Sequence, residues 1–355
     1  MTLRADDTRA HVLELTPDEL TETLGGPGRA RDVWRCLQRG IALDGHEGLM
    51  PGAIERIRAR VDIDLPLVTD SRRAECGTTK LLVDVGSGQH VECVLIPSES
   101  RTTLCVSSQV GCARQCVFCM TATMGLLRNL TVREIVAQVV LAIREAQQAE
   151  LPPVRNIVFM GMGEPLDNLE VVERALSIIT DDRALGFASR FVTVSTVGTS
   201  PSKIRALEGL PAKLAWSVHG VEQELRKRLV PTTKHTMAEL RDAFTDVLES
   251  RGESLFVEMA LIDGVNDSDE HAAELAEFLR SCPEPVRINL LPLNEGREEL
   301  APSSSERVEG FAQLLIEAGY FCTIRRSRGP ELRAACGQLA VDAKKKSAWD
   351  TRALS

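Results

Sequence analysis

An alternation of short apolar runs with helical stretches, which begins at Cys105 and continues almost to the end of the chain, constrains the fold most strongly. Strand and helix in alternation imply parallel strands, and six such repeats close most of a barrel. The sequence therefore predicts an α/β fold, a partial (βα)6 barrel, over residues 105–342. The predicted strands are LCVSSQV, NIVFMGMG, FVTVST, LAWSVH, LFVEMALI and VRINLLPL, and a last run, FCTIRRS, follows near the end.

The segments on either side of the predicted barrel have different patterns. Residues 1–72 are predicted to form an N-terminal helical accessory domain, whose first capped helix begins at TPDE (16–19). Residues 73–104 contain two alternating runs, TKLLVDV and HVECVLI, joined by Gly-Ser-Gly at 86–88, and this pattern predicts a short β-hairpin extension. Residues 343–355 form a basic C-terminal tail.

Length and composition indicate an intracellular protein. The 355 residues suit one large domain and a smaller appendage. No apolar run approaches about 18 residues and no signal peptide opens the chain, so we expect a soluble, cytoplasmic protein without membrane contact. The ten cysteines favour metal-binding or catalytic thiols over a disulfide scaffold. The net charge of −9 argues against a uniformly basic coat, but a local patch could still bind RNA.

Cys112, Cys116 and Cys119 lie in one short run, GCARQCVFCMTATMG, with the spacing Cys-x3-Cys-x2-Cys. Electron-transfer clusters ordinarily take four cysteines, whereas three thiolates hold three irons of a four-iron cluster and leave the fourth open to a small-molecule ligand. A structural zinc site is one alternative, but such sites use four Cys or His ligands and no His lies in the run. Three core cysteines are the other alternative. Phe118 would shield one side of a cluster from water.

Three groups of basic residues are candidates for binding the RNA backbone. A solvated helix end or tail explains each group at least as well on pattern alone. The groups are Arg226, Lys227 and Arg228; Arg325, Arg326 and Arg328; and Lys344 to Lys346.

Several motifs resemble those of a known family. GCARQCVFC is similar to the cluster motif of the radical S-adenosylmethionine (SAM) superfamily, in which the amino and carboxylate groups of SAM chelate the open iron. MGMGEP (160–165) resembles the glycine-rich strand end of that superfamily. Further motifs resemble those of the RlmN/Cfr family of RNA adenosine methyltransferases. They are LCVSSQVGC, RNLT, VTVST, SVH, GVNDS, INLLPLN and AACGQLA. The resemblance extends from about Arg72 to Val341, and more faintly through the N-terminal helices.

The resemblance implies two cofactors, a [4Fe-4S] cluster on Cys112, Cys116 and Cys119, and SAM. All of the implied SAM contacts lie at or just beyond the C-terminal ends of predicted strands, where a barrel presents side chains to a ligand. A carboxylate suits the amino group of SAM, and hydroxyls and amides suit its ribose. Without the resemblance, the histidine is equally explained as a core residue. The implied contacts are Gly163, Glu164, Ser195, Ser217, Val218, His219 and Asn294.

The resemblance also implies three catalytic residues. Cys336 would take a methyl group from one SAM, and a deoxyadenosyl radical from a second SAM would remove a hydrogen atom from the resulting methylthioether. The carbon radical would add to the base, Glu92 would remove the proton from the attacked carbon, and Cys105 would release the product by forming a transient disulfide with Cys336. On pattern alone, both cysteines could be buried structural residues and Glu92 an outward carboxylate. Gly337 favours a mobile loop around Cys336.

The implied function is methylation of an adenosine carbon, with C2 favoured, in 23S ribosomal RNA, transfer RNA or both. The adenosine must be unpaired, because its carbons are unreachable inside a duplex. The resemblance implies one further partner, a low-potential electron donor such as a flavodoxin. We expect the protein to be a monomer. The alternatives are C8 methylation, as by Cfr, a radical SAM enzyme with another substrate, and a redox-sensing or electron-transfer iron–sulfur protein.

The chain departs from the family pattern around the predicted mouth of the site. The residues after SVH read GVEQELRKRLVPTTKHT, Leu293 replaces a common aromatic residue, and Glu295-Gly296 follows Asn294. These departures are predicted to leave the cofactor site intact and to bear on the choice of RNA. The remaining five cysteines match no family motif and are interpreted as structural: Cys36, Cys76, Cys93, Cys282 and Cys322.

Overall fold

The structure is a computed structural model that describes residues 9–44, 48–294, 299–325 and 332–340. Within these ranges, twelve strands form one sheet of ten and a ribbon of two. The strands are β1 Val68–Arg73, β2 Thr79–Asp84, β3 His90–Pro97, β4 Thr102–Cys105, β5 Gln109–Gly111, β6 Leu126–Asn129, β7 Val154–Phe159, β8 Val192–Thr196, β9 Lys213–Ser217, β10 Leu255–Leu261, β11 Val286–Pro292 and β12 Phe321–Ile324.

Ten α-helices lie in the same ranges, and among these residues no helix is both long enough and apolar enough to span a bilayer. The helices are α1 Pro17–Leu24, α2 Pro27–Gln38, α3 Pro51–Arg58, α4 Val132–Gln148, α5 Leu169–Ile179, α6 Pro201–Arg205, α7 Gln223–Leu229, α8 Met237–Arg251, α9 Asp269–Leu279 and α10 Ser305–Glu317.

Seven parallel strands, in the order β4-β7-β8-β9-β10-β11-β12, form the wall of the barrel. At least one helix separates each strand from the next along the chain. The predicted α/β fold with a partial parallel barrel is confirmed, and the last predicted run contributes a seventh strand, β12. Because all seven strands run in one direction, their carboxyl ends meet at one edge of the wall.

The first barrel strand is shorter than predicted. The pattern predicts one strand over LCVSSQV, whereas β4 ends at Cys105 and the following residues form β5, which pairs with β6 outside the barrel wall. Ser107 lies at the break. Its hydroxyl donates to the carbonyl of Glu92 at 2.7 Å and accepts from the backbone nitrogen of Met162 at 2.8 Å. The cysteine run therefore follows the ribbon strand β5 and not a barrel strand.

The predicted hairpin is present as β2 and β3, which pair in antiparallel register from Thr79 opposite Leu95 to Asp84 opposite His90. Gly86 and Gly88 take left-handed φ angles of +82° and +69° in the turn. β3 also pairs with β4, so the hairpin continues the barrel wall. The prediction of helix as far as residue 72 is wrong at its end, because residues 68–73 pair with β2 as β1, an exposed edge strand.

The N-terminal helices pack on the outside of the barrel. The predicted start of α1 is confirmed, since Thr16 and Glu19 form a reciprocal capping box. Arg133 of α4 donates to the carbonyl of Asp64 at 2.8 Å, and Arg174 of α5 donates to that of Glu14 at 3.1 Å. Buried side chains of the N-terminal helices belong to the same apolar core as those of the barrel. The proposed division into domains remains a prediction.

Candidate active site

The predicted site residues gather at the carboxyl edge of the parallel strands. Except for Glu92, which lies within β3, each lies at the end of a parallel strand, just beyond it, on the cysteine loop or on the loop that carries Cys336. Cys105 ends β4, Gly163 and Glu164 follow β7, Ser195 lies in β8, Ser217 ends β9 and is followed by Val218 and His219, and Asn294 follows β11.

The loop that carries the three cysteines is fixed by its own backbone. Gly111 has a φ of +79°, and a Cβ there would lie 1.8 Å from the carbonyl oxygen of Gly125. Cys112 donates from its backbone nitrogen to that carbonyl at 3.0 Å. The nitrogen of Arg114 lies 3.4 Å from the Cys112 sulfur, and the nitrogen of Cys119 donates to the Cys116 carbonyl at 3.0 Å. Only glycine therefore fits where the loop leaves β5.

Helix α7 and the residues after it pack against the cysteine loop and form hydrogen bonds with it. The nitrogen of Val117 donates to the carbonyl of Leu229 at 3.0 Å, and the hydroxyl of Thr232 donates to that of Arg114 at 2.9 Å. Cys116 packs in a small apolar cluster with Leu225, Leu229 and Val230. This is the segment in which the sequence departs from the family pattern. It lies against the predicted cofactor site, and the expectation that its departures leave that site intact and bear on the choice of RNA stays a prediction.

The three thiols differ in exposure. Cys112 and Cys116 are buried and Cys119 is half-buried. Among the described residues no three His, Cys, Asp or Glu side chains converge on one metal position. Burial raises the pKa of the Cys112 thiol to about 12 and also raises the pKa of Cys116. Because metal ligation requires thiolates, loading of this site would release protons.

Phe118, between two of these cysteines, contacts His219 after β9. The two rings meet edge to face, with centroids 4.4 Å apart and an interplanar angle of 61°. His219 has a left-handed φ of +57°, and its Nδ1 accepts from the nitrogen of Ala260 at 3.0 Å. Burial, and secondarily the charge of Arg226, lower the pKa of His219 to about 3. The ring is therefore neutral, with Nε2 as its donor.

The side chain of Asn266, in the GVNDS motif, fixes this histidine. Its amide nitrogen donates to the carbonyls of His219 and Ala260, each at 2.7 Å, and its amide oxygen accepts from the nitrogen of Ile262 at 2.8 Å. Val218, by contrast, is fully buried, and its nitrogen donates to the carbonyl of Glu258 at 2.9 Å. Its predicted contact with SAM stays a prediction.

The glycine-rich segment after β7 is held against β5. Gly163 has a φ of +102°, and a Cβ there would lie 2.6 Å from that of Gln109. The Gln109 amide oxygen accepts from the nitrogen of Glu164 at 2.8 Å. The buried Glu164 carboxylate itself accepts from the nitrogens of Leu166 at 3.0 Å and Val197 at 3.1 Å. Glu164 thus joins the ends of β7 and β8, in addition to any contact with a ligand.

A chain of polar side chains crosses the interior of the barrel. The hydroxyls of Ser195 and Ser217 lie 3.1 Å apart on neighbouring strands, and Ser195 donates to the carboxylate of Glu258 at 3.2 Å. Glu258 lies in β10 and is 5% exposed. Burial raises its pKa, while the positive charge of Arg325 lowers it. These oxygens form a polar lining at the point where the resemblance implies a ribose.

The loop that carries Cys336 is anchored to the cysteine loop and to the barrel edge. Residues Met120 and Thr121, just after the third cysteine, donate to the carbonyls of Gly337 and Leu339, each at 2.6 Å. The side-chain nitrogen of Asn294 donates to the Cys336 carbonyl at 3.1 Å. Residues separated by more than 200 positions therefore meet over the carboxyl edge of the barrel.

Cys336 and Cys105 are free thiols that lie close enough to interact electrostatically. The Cys336 side chain is exposed, yet the surrounding protein raises its pKa to about 11. Cys105 is 7% exposed, and burial raises its pKa well above its ordinary value. Both thiols would need deprotonation before acting as nucleophiles.

Glu92 is a buried carboxylate and not the outward-facing residue that its alternation alone suggests. It is 6% exposed and forms a 2.9 Å ion pair with Lys80 of β2. Its Oε2 accepts from the nitrogen of Ala340 at 3.1 Å, four residues after Cys336. Burial raises the pKa of Glu92, and the charge of Lys80 opposes that shift.

The structure places the basic residues differently from the prediction. Arg226 is fully buried and donates to backbone carbonyls, so its predicted role in gripping RNA is wrong, as is the alternative of a solvated helix end. Arg325 is exposed and acts electrostatically on Cys336. Residues 326, 328 and 344–346, and Glu295-Gly296, lie outside the described residues.

The other cysteines fit a structural interpretation with one exception. Cys36, Cys93 and Cys282 are buried and Cys322 is half-buried. Cys76 is exposed in the turn between β1 and β2, so it is not a core residue.

Sequence reasoning missed four residues that contribute to the site, Lys80, Gln109, Glu258 and Asn266, and it assigned a fifth, Arg226, to RNA binding. Gln109 and Asn266 lie inside motifs that were recognised, and a polar side chain within an apolar run would have indicated them. Glu258 carries the same signal, as a carboxylate in the middle of LFVEMALI. Lys80 and Arg226 have no local signal, because their partners lie on other elements.

Comparison with known proteins places the whole chain among related enzymes. The profile of the Radical SAM superfamily matches residues 106–276. A protein of Myxococcus xanthus (strain DK1622), named dual-specificity RNA methyltransferase RlmN 2, is 42% identical over 344 residues, which are 94% of this chain and 90% of the relative. The crystal structure of a radical SAM methyltransferase from Sphaerobacter thermophilus matches with a TM-score of 0.87 at 38% identity, over 94% of this chain and 100% of that chain. Both likenesses extend well beyond the cysteine motif.

Proposed function

The chain belongs to the RlmN-type radical SAM RNA methyltransferases, and from this premise we propose that it methylates C2 of an unpaired adenosine in 23S ribosomal RNA, in transfer RNA or in both. One structural observation supports the proposal most directly. The loop with Cys336 lies across the carboxyl edge of the barrel, bonded on one side to the cysteine loop and on the other to Glu92. The relative named dual-specificity RNA methyltransferase RlmN 2 supports methylation of RNA, and the choice of C2 and of the RNA classes rests on the resemblance to the family.

The cofactors of this family, a [4Fe-4S] cluster and SAM, fit the site. We assign the cluster to Cys112, Cys116 and Cys119, whose loop provides a backbone N–H for the Cys112 sulfur. When bound, the cluster supplies the electron that cleaves SAM and so yields a deoxyadenosyl radical. The SAM contacts are assigned to the polar lining of the carboxyl edge: Gly163, Glu164, Ser195, Ser217, Val218, His219 and Asn294.

Cys336 is the methyl carrier in this proposal. Its thiolate would attack the methyl carbon of a first SAM, and S-adenosylhomocysteine would leave. Transfer of one hydrogen atom from the methylthioether to the deoxyadenosyl radical would give deoxyadenosine and a carbon radical that bonds to the adenine carbon. The exposure of Cys336 supports this role, because the thiol must meet both SAM and the base.

Glu92 and Cys105 complete the reaction. Glu92 would accept the proton of the attacked carbon, a role supported by its position beside the Cys336 loop, and the unpaired electron left on the adduct would return to the cluster, which would lend one electron in each cycle. The Cys105 thiolate then attacks the Cys336 sulfur. The sulfur–carbon bond breaks, the freed carbon takes a proton to become a methyl group, and the new disulfide awaits reduction by external thiols.

The N-terminal helices are proposed to bind RNA around the target adenosine, with the substrate base extruded toward the carboxyl edge. A low-potential protein such as a flavodoxin is the proposed electron donor, and the enzyme is proposed to act as a monomer.

Mass spectrometry of nucleosides from ribosomal and transfer RNA, in cells with and without this gene, tests the proposal. We expect 2-methyladenosine to be missing without the gene and to return with the wild-type chain but not with Cys336→Ala. The appearance of 8-methyladenosine instead would replace C2 by C8. Unchanged modification of both RNA classes would contradict the proposal and favour another substrate.

A further inference from the structure

Arg226 of α7 is enclosed between the cysteine loop and the ends of two barrel strands. Its side chain is 0% exposed. Nη1 donates to the carbonyl of Ser217 at 3.0 Å and also to that of Val218, and Nη2 donates to the carbonyl of Val197. One guanidinium therefore joins the ends of β8 and β9, the segments to which the SAM contacts are assigned.

A fully buried guanidinium requires compensation, because transfer of an unpaired charge from water to a protein interior is costly. Three carbonyl dipoles supply part of it, but Nε has no hydrogen-bond partner among the described residues. The acidic groups that act on Arg226 are Cys116 and Glu164. Cys116 packs against Leu225 and Leu229, which lie on the same helix as Arg226, and the nitrogen of Val117 donates to the carbonyl of Leu229 at 3.0 Å. A cluster held by Cys116 would therefore lie beside the buried guanidinium.

We propose that Arg226 is a positioning residue with two effects: its charge stabilises the anionic, cysteine-bound cluster beside Cys116, and its hydrogen bonds hold Val197 and Ser217 in place for SAM. The inference rests on the proposed function, since it assumes that the cysteine loop carries a [4Fe-4S] cluster.

The charge effect follows from electrostatics. Three thiolates outnumber the two positive charges of an oxidised [4Fe-4S] core, so the cluster is an anion that becomes more negative on reduction. A buried cation stabilises the more negative state more strongly, which raises the reduction potential. Arg226 therefore makes the cluster easier to reduce.

The hydrogen-bond effect requires arginine in particular. Its planar fork spans carbonyls on two different strands, whereas a lysine ammonium is a point charge that cannot reproduce that geometry. Lysine at this position would keep the charge but loosen the strand ends. Glutamine would keep an amide donor but lose the charge.

The test compares Arg226→Gln and Arg226→Lys with the wild type, all reconstituted anaerobically with iron and sulfide. Arg228→Gln is the matched control, because Arg228 is exposed on the same helix. The cluster potential is measured by redox titration with electron paramagnetic resonance, and SAM affinity by equilibrium dialysis without reductant. Both readouts are independent of methylation.

We expect Arg226→Gln to lower the ratio of reduced to oxidised cluster at least tenfold at a fixed potential, a shift of about 59 mV for one electron. Arg226→Lys should keep the wild-type potential but bind SAM at least tenfold more weakly. Arg228→Gln should change neither.

A wild-type potential in Arg226→Gln would overturn the charge effect, and so would a lowered potential in Arg226→Lys. Wild-type SAM affinity in Arg226→Lys would overturn the positioning effect. If Arg226→Gln does not assemble a cluster, Arg226→Met, which also lacks the charge, takes its place in the test of the charge effect, and Arg226→Lys still tests the positioning effect. Failure of the wild type to bind a cluster would instead contradict the proposed function.

Discussion

The carboxylate of Glu92 accepts a hydrogen bond from the backbone nitrogen of Ala340 at 3.1 Å, although 248 residues separate the two in the chain. The same carboxylate pairs with Lys80 at 2.9 Å. Through this contact the hairpin extension holds one end of the loop that carries Cys336. The proposed base and the proposed methyl carrier are therefore parts of one connected structure, and a change at either should affect the other.

Glu92→Gln tests the base. The amide keeps the shape of the side chain but cannot accept a proton, so we expect methylated product to fall at least about 100-fold, the lower end of general-base effects. The covalent RNA–enzyme adduct should accumulate, detected as a mass shift of the intact protein. Glu92→Asp is the control and should retain part of the activity. Loss of product without adduct in Glu92→Gln would instead indicate an earlier role.

Lys80→Met should shift the pH dependence of the step in which Glu92 acts. Burial raises the pKa of Glu92 and Lys80 opposes this, so removing the ammonium raises the pKa of Glu92 further. Because the base must be ionised, the rate rises with pH through that pKa, and the midpoint should move to higher pH in Lys80→Met. Lys80→Arg keeps the charge and should leave the midpoint in place. The decay rate of the RNA–enzyme adduct, measured across pH, is the readout.

Cys105→Ala should block product release. Without a second thiol the sulfur of Cys336 cannot be attacked, and the RNA–enzyme adduct should persist while free methylated RNA becomes undetectable. Cys76→Ala is the control, because Cys76 is an exposed cysteine outside the site. Multiple turnovers by Cys105→Ala would show that another thiol performs this step.

Gly163→Ala should damage the SAM site. A Cβ at φ +102° would lie 2.6 Å from the Cβ of Gln109, so the segment after β7 must move. We expect SAM affinity to fall at least tenfold, with a stability cost of about 1–3 kcal/mol for the strained backbone. Gly310→Ala, on the exposed side of α10 with nothing near its added Cβ, should bind SAM like the wild type.

Acid should destabilise the N-terminal segment through His11. Burial lowers the pKa of His11 to about 4, and the nearby charge of Arg133 contributes. Its Nδ1 accepts from the nitrogen of Leu13 at 3.1 Å, which requires a neutral ring. An unfolded histidine titrates near about 6.5. The free energy of unfolding should therefore fall by about 3 kcal/mol as pH drops from 6.5 through 4, and denaturant titrations of His11→Gln should show a smaller pH dependence.

The strand and helix pattern predicted the fold because each element depends on its own local periodicity. The βα alternation, the hairpin at 86–88 and the capping box at Thr16 are signals of this kind, and all three are present. The errors arose where polar side chains override periodicity. Ser107 ends the first barrel strand by bonding to two neighbouring segments.

Only site residues that lie within recognised sequence motifs could be predicted from the sequence. Motif positions after strand ends were brought together at the carboxyl edge, as parallel strands require. Arg226 was misplaced, because a charged residue in a run of three basic residues gives no sign of burial when its partners lie on β8 and β9. The same holds for the pairing of Glu92 with Lys80 and Ala340, which depends on sheet register and on the path of the C-terminal loop.

The measurement that tests the central claim most directly is nucleoside mass spectrometry after reaction with SAM that carries a trideuterated methyl group. The substrate is ribosomal and transfer RNA from cells that lack the gene. Passage through the Cys336 methylthioether removes one deuterium before the carbon joins the base, so we predict methyladenosine with two deuterium atoms. Methyladenosine that retains all three, or that still forms with Cys336→Ala, would contradict the account.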